Sequence, residues 1–227
     1  MKKIEVDEQE WWIRDGVGGE GDTYVLKEAR GYFRRVEVTE GDIWLDVGAN
    51  IGAFACRAAK KALAVIAVEP APDNLKILYA NIALHNLDNV FVVPMALVGS
   101  SSVKTVTLYL NAGKNPGAHS LYASGRGDSV RVLAVDVNRI IKRYGINKMK
   151  IDAEGAEVDI LFGMDKSAWS EIQALVMEFH FNYLKDKDHG IYTKTLALLH
   201  KHFDNVDAMN PNRGLKNWHT TLSASVA

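Results

Sequence analysis

Short apolar runs alternate with segments of helical periodicity along most of this chain. The apolar runs predict strands or extended segments at 43–47, 64–68, 90–93, 130–135, 149–151, 174–179 and 218–226. The helical periodicity predicts helices at 51–61, 72–85, 136–144, 156–162 and 192–202. At 103–110, polar and apolar residues alternate, which predicts an antiparallel edge strand. Strands that alternate with helices are typical of an α/β protein with a doubly wound, parallel sheet.

The pattern shows no internal boundary. The chain contains no internal repeat and no linker rich in glycine or proline, and 227 residues suit one domain of ordinary size. We therefore predict a single domain at 1–227, in which residues 41–227 form the α/β core and residues 1–40 form an N-terminal segment.

Composition and charge limit the classes of partner. With 48% apolar residues, 24% charged residues and a net charge of −1, the chain lacks the basic footprint of a nucleic-acid-binding protein. Cys56 is the only cysteine, so an internal disulfide is excluded and a reducing compartment is favoured. No apolar stretch reaches the roughly 18 residues of a membrane span, and the N-terminus lacks the apolar core of a signal peptide. These features predict a cytoplasmic protein without a membrane partner and argue against a nucleic-acid partner.

The segment from Asp46 to Gly52 joins the first predicted core strand to a predicted helix. Gly48 and Gly52 permit a tight turn and a close backbone approach to a ligand, and a helix beginning near Asn50 would direct unpaired N–H groups to the same place. The spacing is Asp-x-Gly-x-x-x-Gly, whereas a dinucleotide fingerprint has three glycines that hold a pyrophosphate. A carboxylate would repel phosphate, so we expect a ligand with an ammonium group and a ribose but no phosphate.

A second acid, Glu69, ends the next strand, where a carboxylate can accept hydrogen bonds from both ribose hydroxyls. Either Asp46 or Glu69 alone could equally be a helix cap or a strand terminus. The two acids together with the glycine spacing favour a ligand site.

Two sequence blocks resemble a known family. Residues 46–52, DVGANIG, followed by Val68-Glu69-Pro70, resemble the first two motifs of the class I S-adenosylmethionine-dependent methyltransferases. Residues 150–157, KIDAEGAE, are similar to the signature of the FkbM branch. The resemblance implies a Rossmann-like, mainly parallel seven-stranded sheet with an antiparallel final strand. It also implies S-adenosyl-L-methionine as the methyl donor and O-methylation of a small-molecule hydroxyl, on a sugar or another natural product, with residues 1–40 on the acceptor side.

The resemblance also implies the donor-binding residues. Gly48, Ala49 and Asn50 would lie along the methionine part of the cofactor, and Asp46 would govern its ammonium group. Glu69 would hold the ribose. The complete set of expected cofactor-binding positions is Asp46, Gly48, Ala49, Asn50, Gly52, Glu69, Met95, Ala96 and Asp152.

Oxygen methylation usually needs a base near the acceptor hydroxyl. The candidates around the expected methyl group are Asp152, Glu154 and His180. We expect His180 to be the base, because imidazole has a reference pKa of about 6.5 and Glu178, on the same face of the strand, could orient it. Glu154 is predicted to open a helix, whose dipole would favour the charged form and lower its basicity. Asp152 and Glu154 are therefore expected to position the reactants.

Two further features have alternative interpretations. The segment 111–128, which contains His119 and Ser120, is either a flexible surface loop or an acceptor-side lid. The acids that begin the predicted helix at 156–162 are attributed to its start and surface, so no metal site is predicted.

Three other functions stay open at this point. One is an N-methyltransferase of the same fold that acts on RNA or another acceptor. Another is an NAD-dependent oxidoreductase, which the missing middle glycine disfavours. The last is a cofactor-binding protein that has lost catalysis.

Overall fold

The computed structural model describes residues 1–16, 18–111, 119–122, 128–181, 189–208 and 219–226. The strands are β1 (Lys2–Val6), β2 (Gln9–Ile13), β3 (Ile43–Val47), β4 (Ala64–Val68), β5 (Val90–Val93), β6 (Ala96–Val98), β7 (Thr105–Tyr109), β8 (Ser129–Asp136), β9 (Lys148–Ile151), β10 (Ala174–His180), β11 (Asn205–Ala208) and β12 (His219–Ser225). The helices are α1 (Gly18–Phe33), α2 (Ala55–Ala58), α3 (Pro72–Leu84), α4 (Val137–Tyr144), α5 (Glu157–Gly163), α6 (Lys166–Glu171) and α7 (His189–His202).

Seven strands form the central sheet in the order β11-β12-β10-β9-β3-β4-β5. Neighbours from β10 to β5 pair in parallel, whereas β12 runs antiparallel to both β10 and β11. This confirms the predicted α/β fold with its antiparallel final strand. The strand order reverses between β3 and β9, and in open α/β sheets a ligand crevice lies at the carboxyl ends of the strands at this point.

Both faces of the sheet are covered, which explains the nearly continuous apolar strands. Side chains of one strand alternate between two cores: Leu45 and Val47 belong to one cluster, while Trp44 belongs to the other. The first cluster packs against α4 to α7, and the second packs against α1, α2 and α3.

The segments predicted at 103–110 and 130–135 lie outside the central sheet. They correspond to β7 and β8, which pair antiparallel, and β8 also pairs in parallel with the short strand β6. The antiparallel edge strand predicted at 103–110 is present as β7, but it is the edge of a separate three-stranded sheet and not of the central sheet.

The first forty residues contain a β1–β2 hairpin and the helix α1, which the periodicity did not predict. The hairpin turns at Asp7 and Glu8, which both have left-handed backbone dihedrals without a glycine to indicate the turn. The hairpin is attached to α3, because the Trp12 N–H donates to Asn81 Oδ1 at 2.7 Å and Asn81 Nδ2 donates back to the Trp12 carbonyl at 3.1 Å.

The predicted helix at 51–61 is wrong at both ends. Regular helix covers only Ala55–Ala58, and the backbone before it visits left-handed dihedrals at Asn50 and Gly52. The helix therefore does not direct its N-terminus at a ligand near Asn50, as the sequence had indicated.

No helix among the described ranges is long and apolar enough to cross a membrane.

Cys56 should be inert in the folded protein. The thiol is fully buried in α2, and burial, aided by the charge of Asp46, raises the pKa of Cys56 to about 12. We expect iodoacetamide at mildly alkaline pH to leave native protein unlabelled and to label the urea-unfolded protein completely, as measured by mass spectrometry. Rapid labelling of the native protein would contradict the burial of this side chain.

Candidate active site

Residues from the ends of β3, β4 and β9 line a single cavity at the strand reversal. Those that the sequence singled out and that line it are Gly48, Asn50, Glu69, Ala96, His119, Asp152 and Glu154. Ala49 lines an adjoining cavity beneath α1, which Gly48, Asn50 and Asp152 also reach. Asp46, Gly52, Met95 and His180 are not among the lining residues of either cavity. The sheet thus brings together most of the predicted cofactor positions.

The two motif glycines serve different contacts. Gly48 has a φ of 72°, and a Cβ there would lie 1.8 Å from the Asp152 carbonyl oxygen, so the β3 turn and the end of β9 can approach only without a side chain. Gly52 has a φ of 90°, and its Cβ would meet Leu78 Cδ1 at 2.8 Å. Gly52 therefore allows packing against α3 and does not form the cavity wall.

Glu69 is held by three donors. The backbone N–H groups of Asn50 and Ala71 donate to its carboxylate at 2.8 Å each, and Asn74 Nδ2 donates at 3.1 Å. Burial raises the pKa of Glu69, and these donors oppose the rise. Asn50 Oδ1 is buried and has no hydrogen-bond partner within the described part of the chain. The Asn50–Glu69 pair thus presents a fixed carboxylate and an available amide oxygen to a ligand.

Asp46 faces a buried lysine instead of the cavity. Its carboxylate is fully buried and lies 3.1 Å from Nζ of Lys150, which stands opposite it in the β3–β9 register. Lys150 also donates to the Gly48 carbonyl at 2.9 Å and lies 3.6 Å from Asp152 Oδ2. Burial acts to lower the pKa of Lys150, but Asp46 and Asp152 outweigh burial and raise it.

Lys150 is therefore a functional residue of the site that was not predicted from the sequence. A lysine inside a strand whose neighbours are apolar is a signal for a buried partner charge, and Asp46 at the same depth of an adjacent strand is that partner.

The N-terminal segment reaches the site through Tyr32. The Tyr32 hydroxyl, near the end of α1, donates to Asp152 Oδ2 at 3.1 Å. Burial acts to raise the pKa of Asp152, but the charges of Lys150 and His180 and the Tyr32 hydrogen bond lower it overall. Asp152 thus stays ionised at the junction between the cofactor cavity and α1.

His180 lies among carboxylates. Its Nδ1 contacts Glu157 Oε1 at 2.9 Å, and its Nε2 lies 3.5 Å from Glu154 Oε2, 3.8 Å from Glu178 Oε2 and 3.9 Å from Asp152 Oδ1. Burial acts to lower the pKa of His180, but these charges, Glu157 foremost, raise it to about 10. The imidazole therefore carries a proton at neutral pH, which opposes the role of base expected from its reference pKa.

The basicity argument for Glu154 is also corrected. Glu154 has a φ of 48° and lies in the loop before α5, which begins at Glu157, so no helix dipole stabilises its charge. Burial raises the pKa of Glu154 to about 7, against the opposing effect of His180. A carboxyl of this kind can exchange a proton near neutral pH.

Part of the predicted lid contacts this loop. Ser120 Oγ donates to the Glu154 carbonyl at 2.6 Å, and His119 Nε2 lies 3.4 Å from Asp73 Oδ1. His119 and Ser120 therefore lie at the rim of the site. The remainder of the lid prediction, at 112–118 and 123–127, lies outside the described residues.

The family model of the methyltransferase FkbM domain matches residues 46–209. This chain belongs to the FkbM methyltransferase family. The resemblance of the two sequence blocks is thereby confirmed, and membership favours methyl transfer over the oxidoreductase alternative.

Two relatives and one solved structure are similar to this chain. The 31-O-demethyl-FK506 methyltransferase FkbM of Streptomyces tacrolimicus is 29% identical over 206 residues, covering 76% of each chain. The hexuronic acid methyltransferase AglP of Haloferax volcanii is 29% identical over 178 residues, covering 76% of this chain and 67% of that one. The methyltransferase FkbM from Methylobacillus flagellatus superposes with a TM-score of 0.54 at 14% identity over 93% of this chain and 56% of that one, which shows a shared fold.

The Lys150 contacts yield a stability prediction. Lys150→Met leaves Asp46 as an uncompensated buried charge, so we expect the free energy of unfolding to fall by about 3–5 kcal/mol in urea denaturation. The exposed Lys142 on α4 offers a matched control, and Lys142→Met should change stability little. Adding Asp46→Asn to Lys150→Met should recover part of the loss. If Lys150→Met were as stable as the control Lys142→Met, the buried pair would not have this role.

Proposed function

We propose that this protein transfers a methyl group from S-adenosylmethionine to a hydroxyl oxygen of a small molecule. The observation that carries the proposal is a cavity lined on one side by the Asn50–Glu69 pair and on the other by the end of β9. The chain that forms this cavity belongs to the FkbM methyltransferase family. A cofactor held between them would have its reactive end near Asp152 and Glu154.

The residues present fit this cofactor. Glu69 is fixed by three donors, and its Oε2, which accepts only one of these hydrogen bonds, keeps a lone pair for a ribose hydroxyl; Asn50 Oδ1 offers another acceptor. We assign Gly48, Ala49 and Asn50 to the methionine part and Ala96 to the adenine side. When bound, the cofactor supplies a methyl group activated by a positively charged sulfur.

The other expected cofactor positions receive structural roles. Asp46 pairs with Lys150 and does not contact the cofactor, and Gly52 allows close packing against α3. Met95 lines a separate hollow with residues of β8 and α4, so we remove it from the cofactor set.

The acceptor is proposed to be an alcohol of a sugar or another natural product. The names of the Streptomyces and Haloferax relatives, which refer to FK506 and hexuronic acid, support this class. The net charge of −1 provides no electrostatic attraction for RNA. We further propose that α1 forms one wall of the acceptor side, because Glu28, Ala29 and Tyr32 line the cavity that adjoins Asp152. A cytoplasmic location remains part of this proposal, supported by the single buried cysteine.

The arrangement favours Glu154 as the base. Asp152 is engaged by Lys150 and by the Tyr32 hydroxyl, and His180 is held at Nδ1 by Glu157. Glu154 lines the cavity, and its carboxylate lies 3.5 Å from His180. We propose that Glu154 accepts the proton of the acceptor hydroxyl, that His180 stabilises the charge of this group, and that Asp152 positions the acceptor.

Cofactor binding tests the first part of the proposal. Calorimetric titration should show binding of S-adenosylmethionine and S-adenosylhomocysteine and none of NAD. Glu69→Ala removes a charged group that accepts a hydrogen bond from a ribose hydroxyl, which should weaken binding about ten- to a hundredfold. Glu171→Ala, on the exposed end of α6, is the matched control and should bind normally. Binding of NAD alone, or normal affinity in a folded Glu69→Ala variant, would refute the assignment.

Catalysis tests the second part. Glu154→Gln keeps the shape of the side chain but removes the base, so methyl transfer to a panel of hexuronic acids and polyketide alcohols should fall by about 10²–10⁴. Affinity for S-adenosylhomocysteine should stay nearly unchanged. Asp159→Asn, which removes a carboxylate from α5, should retain turnover. Near-normal turnover of Glu154→Gln would show that Glu154 is not the base.

A further inference from the structure

We propose that Asp152, Glu178 and His180 form a binding site for one divalent cation beside the cofactor cavity. The sequence does not indicate this site, because its ligands do not occur at a metal-binding spacing within one segment. The three ligands instead come from neighbouring parallel strands. Ile151 ends β9 and pairs with Met177, so Asp152, which follows β9, lies at the level of Glu178 within β10.

The spacing of the ligand atoms fits a single ion. One nitrogen or oxygen from each of the three residues lies within 4.8 Å of the others. Ligands on opposite sides of a cation with bonds of about 2.2 Å are about 4.4 Å apart, and tetrahedral ligands are about 3.5 Å apart. His180 Nε2 lies 3.8 Å from Glu178 Oε2 and 3.9 Å from Asp152 Oδ1, between these limits. An ion could therefore contact all three after side-chain shifts of a few tenths of an ångström.

The imidazole is oriented for this role from outside the ligand set. Glu157 Oε1 accepts hydrogen bonds from the backbone N–H groups of Ala153 and Gly155 at 3.1 Å each, so its carboxylate is fixed. The same oxygen holds His180 Nδ1 at 2.9 Å, which leaves Nε2 directed at Asp152 and Glu178. A carboxylate that holds the far nitrogen of a ligating histidine is a recurrent feature of metal sites.

Charge supplies an independent argument. Glu178 and His180 are buried, and the carboxylates of Asp152, Glu154 and Glu178 all lie within 4 Å of Nε2. Lys150, the lysine that contacts Asp152 within the described part of the chain, is closer to Asp46 and to the Gly48 carbonyl than to this group. Without an ion, the protonated imidazole supplies the positive charge that these carboxylates face. An ion bound at Nε2 would displace that proton, and its two charges would compensate the carboxylates where they converge.

The ligand types indicate the class of ion. One imidazole nitrogen with two carboxylate oxygens suits Mn²⁺ or Zn²⁺, whereas Mg²⁺ and Ca²⁺ prefer shells of oxygen alone. Asp152 also lines both cavities, so an ion bound to it could contact an acceptor hydroxyl. This role rests on the proposed function: the ion would hold the acceptor hydroxyl in place and polarise its O–H bond.

Metal binding can be measured without the cofactor or an acceptor. We would titrate the chelator-treated full chain with Mn²⁺, Zn²⁺ and Mg²⁺ by calorimetry, and follow free Mn²⁺ by electron paramagnetic resonance. We expect saturable binding of one Mn²⁺ or Zn²⁺ per chain, and weaker binding of Mg²⁺. Wild-type protein that binds neither Mn²⁺ nor Zn²⁺ at millimolar concentration would overturn the proposal.

Variants locate the ion. Glu178→Gln and Asp152→Asn each remove one ligand charge and should weaken binding at least tenfold, while Glu157→Gln should weaken it about 10–100-fold by releasing the imidazole. Asp159→Asn removes a nearby carboxylate that is not a ligand and should bind normally. Circular dichroism identifies folded variants. Unchanged affinity in folded Glu178→Gln and Asp152→Asn would overturn the site.

The outcome is separable from that of the proposed function. Normal binding of S-adenosylhomocysteine without metal binding would overturn only the metal site. Metal binding without any affinity for S-adenosylhomocysteine would overturn only the proposed methyl transfer.

Discussion

The rest of the site depends on the interactions of one buried ammonium group, that of Lys150. It neutralises Asp46 in the middle of the sheet, donates to the carbonyl of Gly48 and lies close to Asp152. Charges in a low-dielectric interior are tolerated only when they are paired, so these contacts hold the turn after β3 against the end of β9. The absence of a side chain at Gly48 makes the same approach sterically possible.

The second constraint is the crowding of ionisable groups at the ends of β9 and β10. Because their environments differ, neighbouring groups have different proton affinities: the pKa of Asp152 is lowered, that of Glu154 is raised to about 7 and that of His180 is raised to about 10. Separation of this kind lets one carboxyl exchange a proton while its neighbours remain charged. These opposing shifts fit the proposed transfer of a proton to Glu154.

The N-terminal segment is attached both to the core and to the site. The hairpin is attached to α3 through Asn81, and α1 reaches Asp152 through Tyr32. The family model begins at residue 46, so the hairpin and α1, which we propose to lie on the acceptor side, precede the matched region.

The sequence by itself determined the strand–helix alternation, the glycine turn after β3 and the strand-end positions of Glu69 and Asp152. These features follow from local periodicity, from backbone sterics and from the rule that strand ends of a parallel sheet share one edge. The hairpin escaped prediction because Asp7 and Glu8 turn the chain without a glycine. Only the tertiary structure decided the charge states of Asp152, Glu154 and His180 and the distances between the proposed metal ligands. The pKa of His180 depends on Glu157, which is 23 residues away in the sequence and is brought within 2.9 Å by packing.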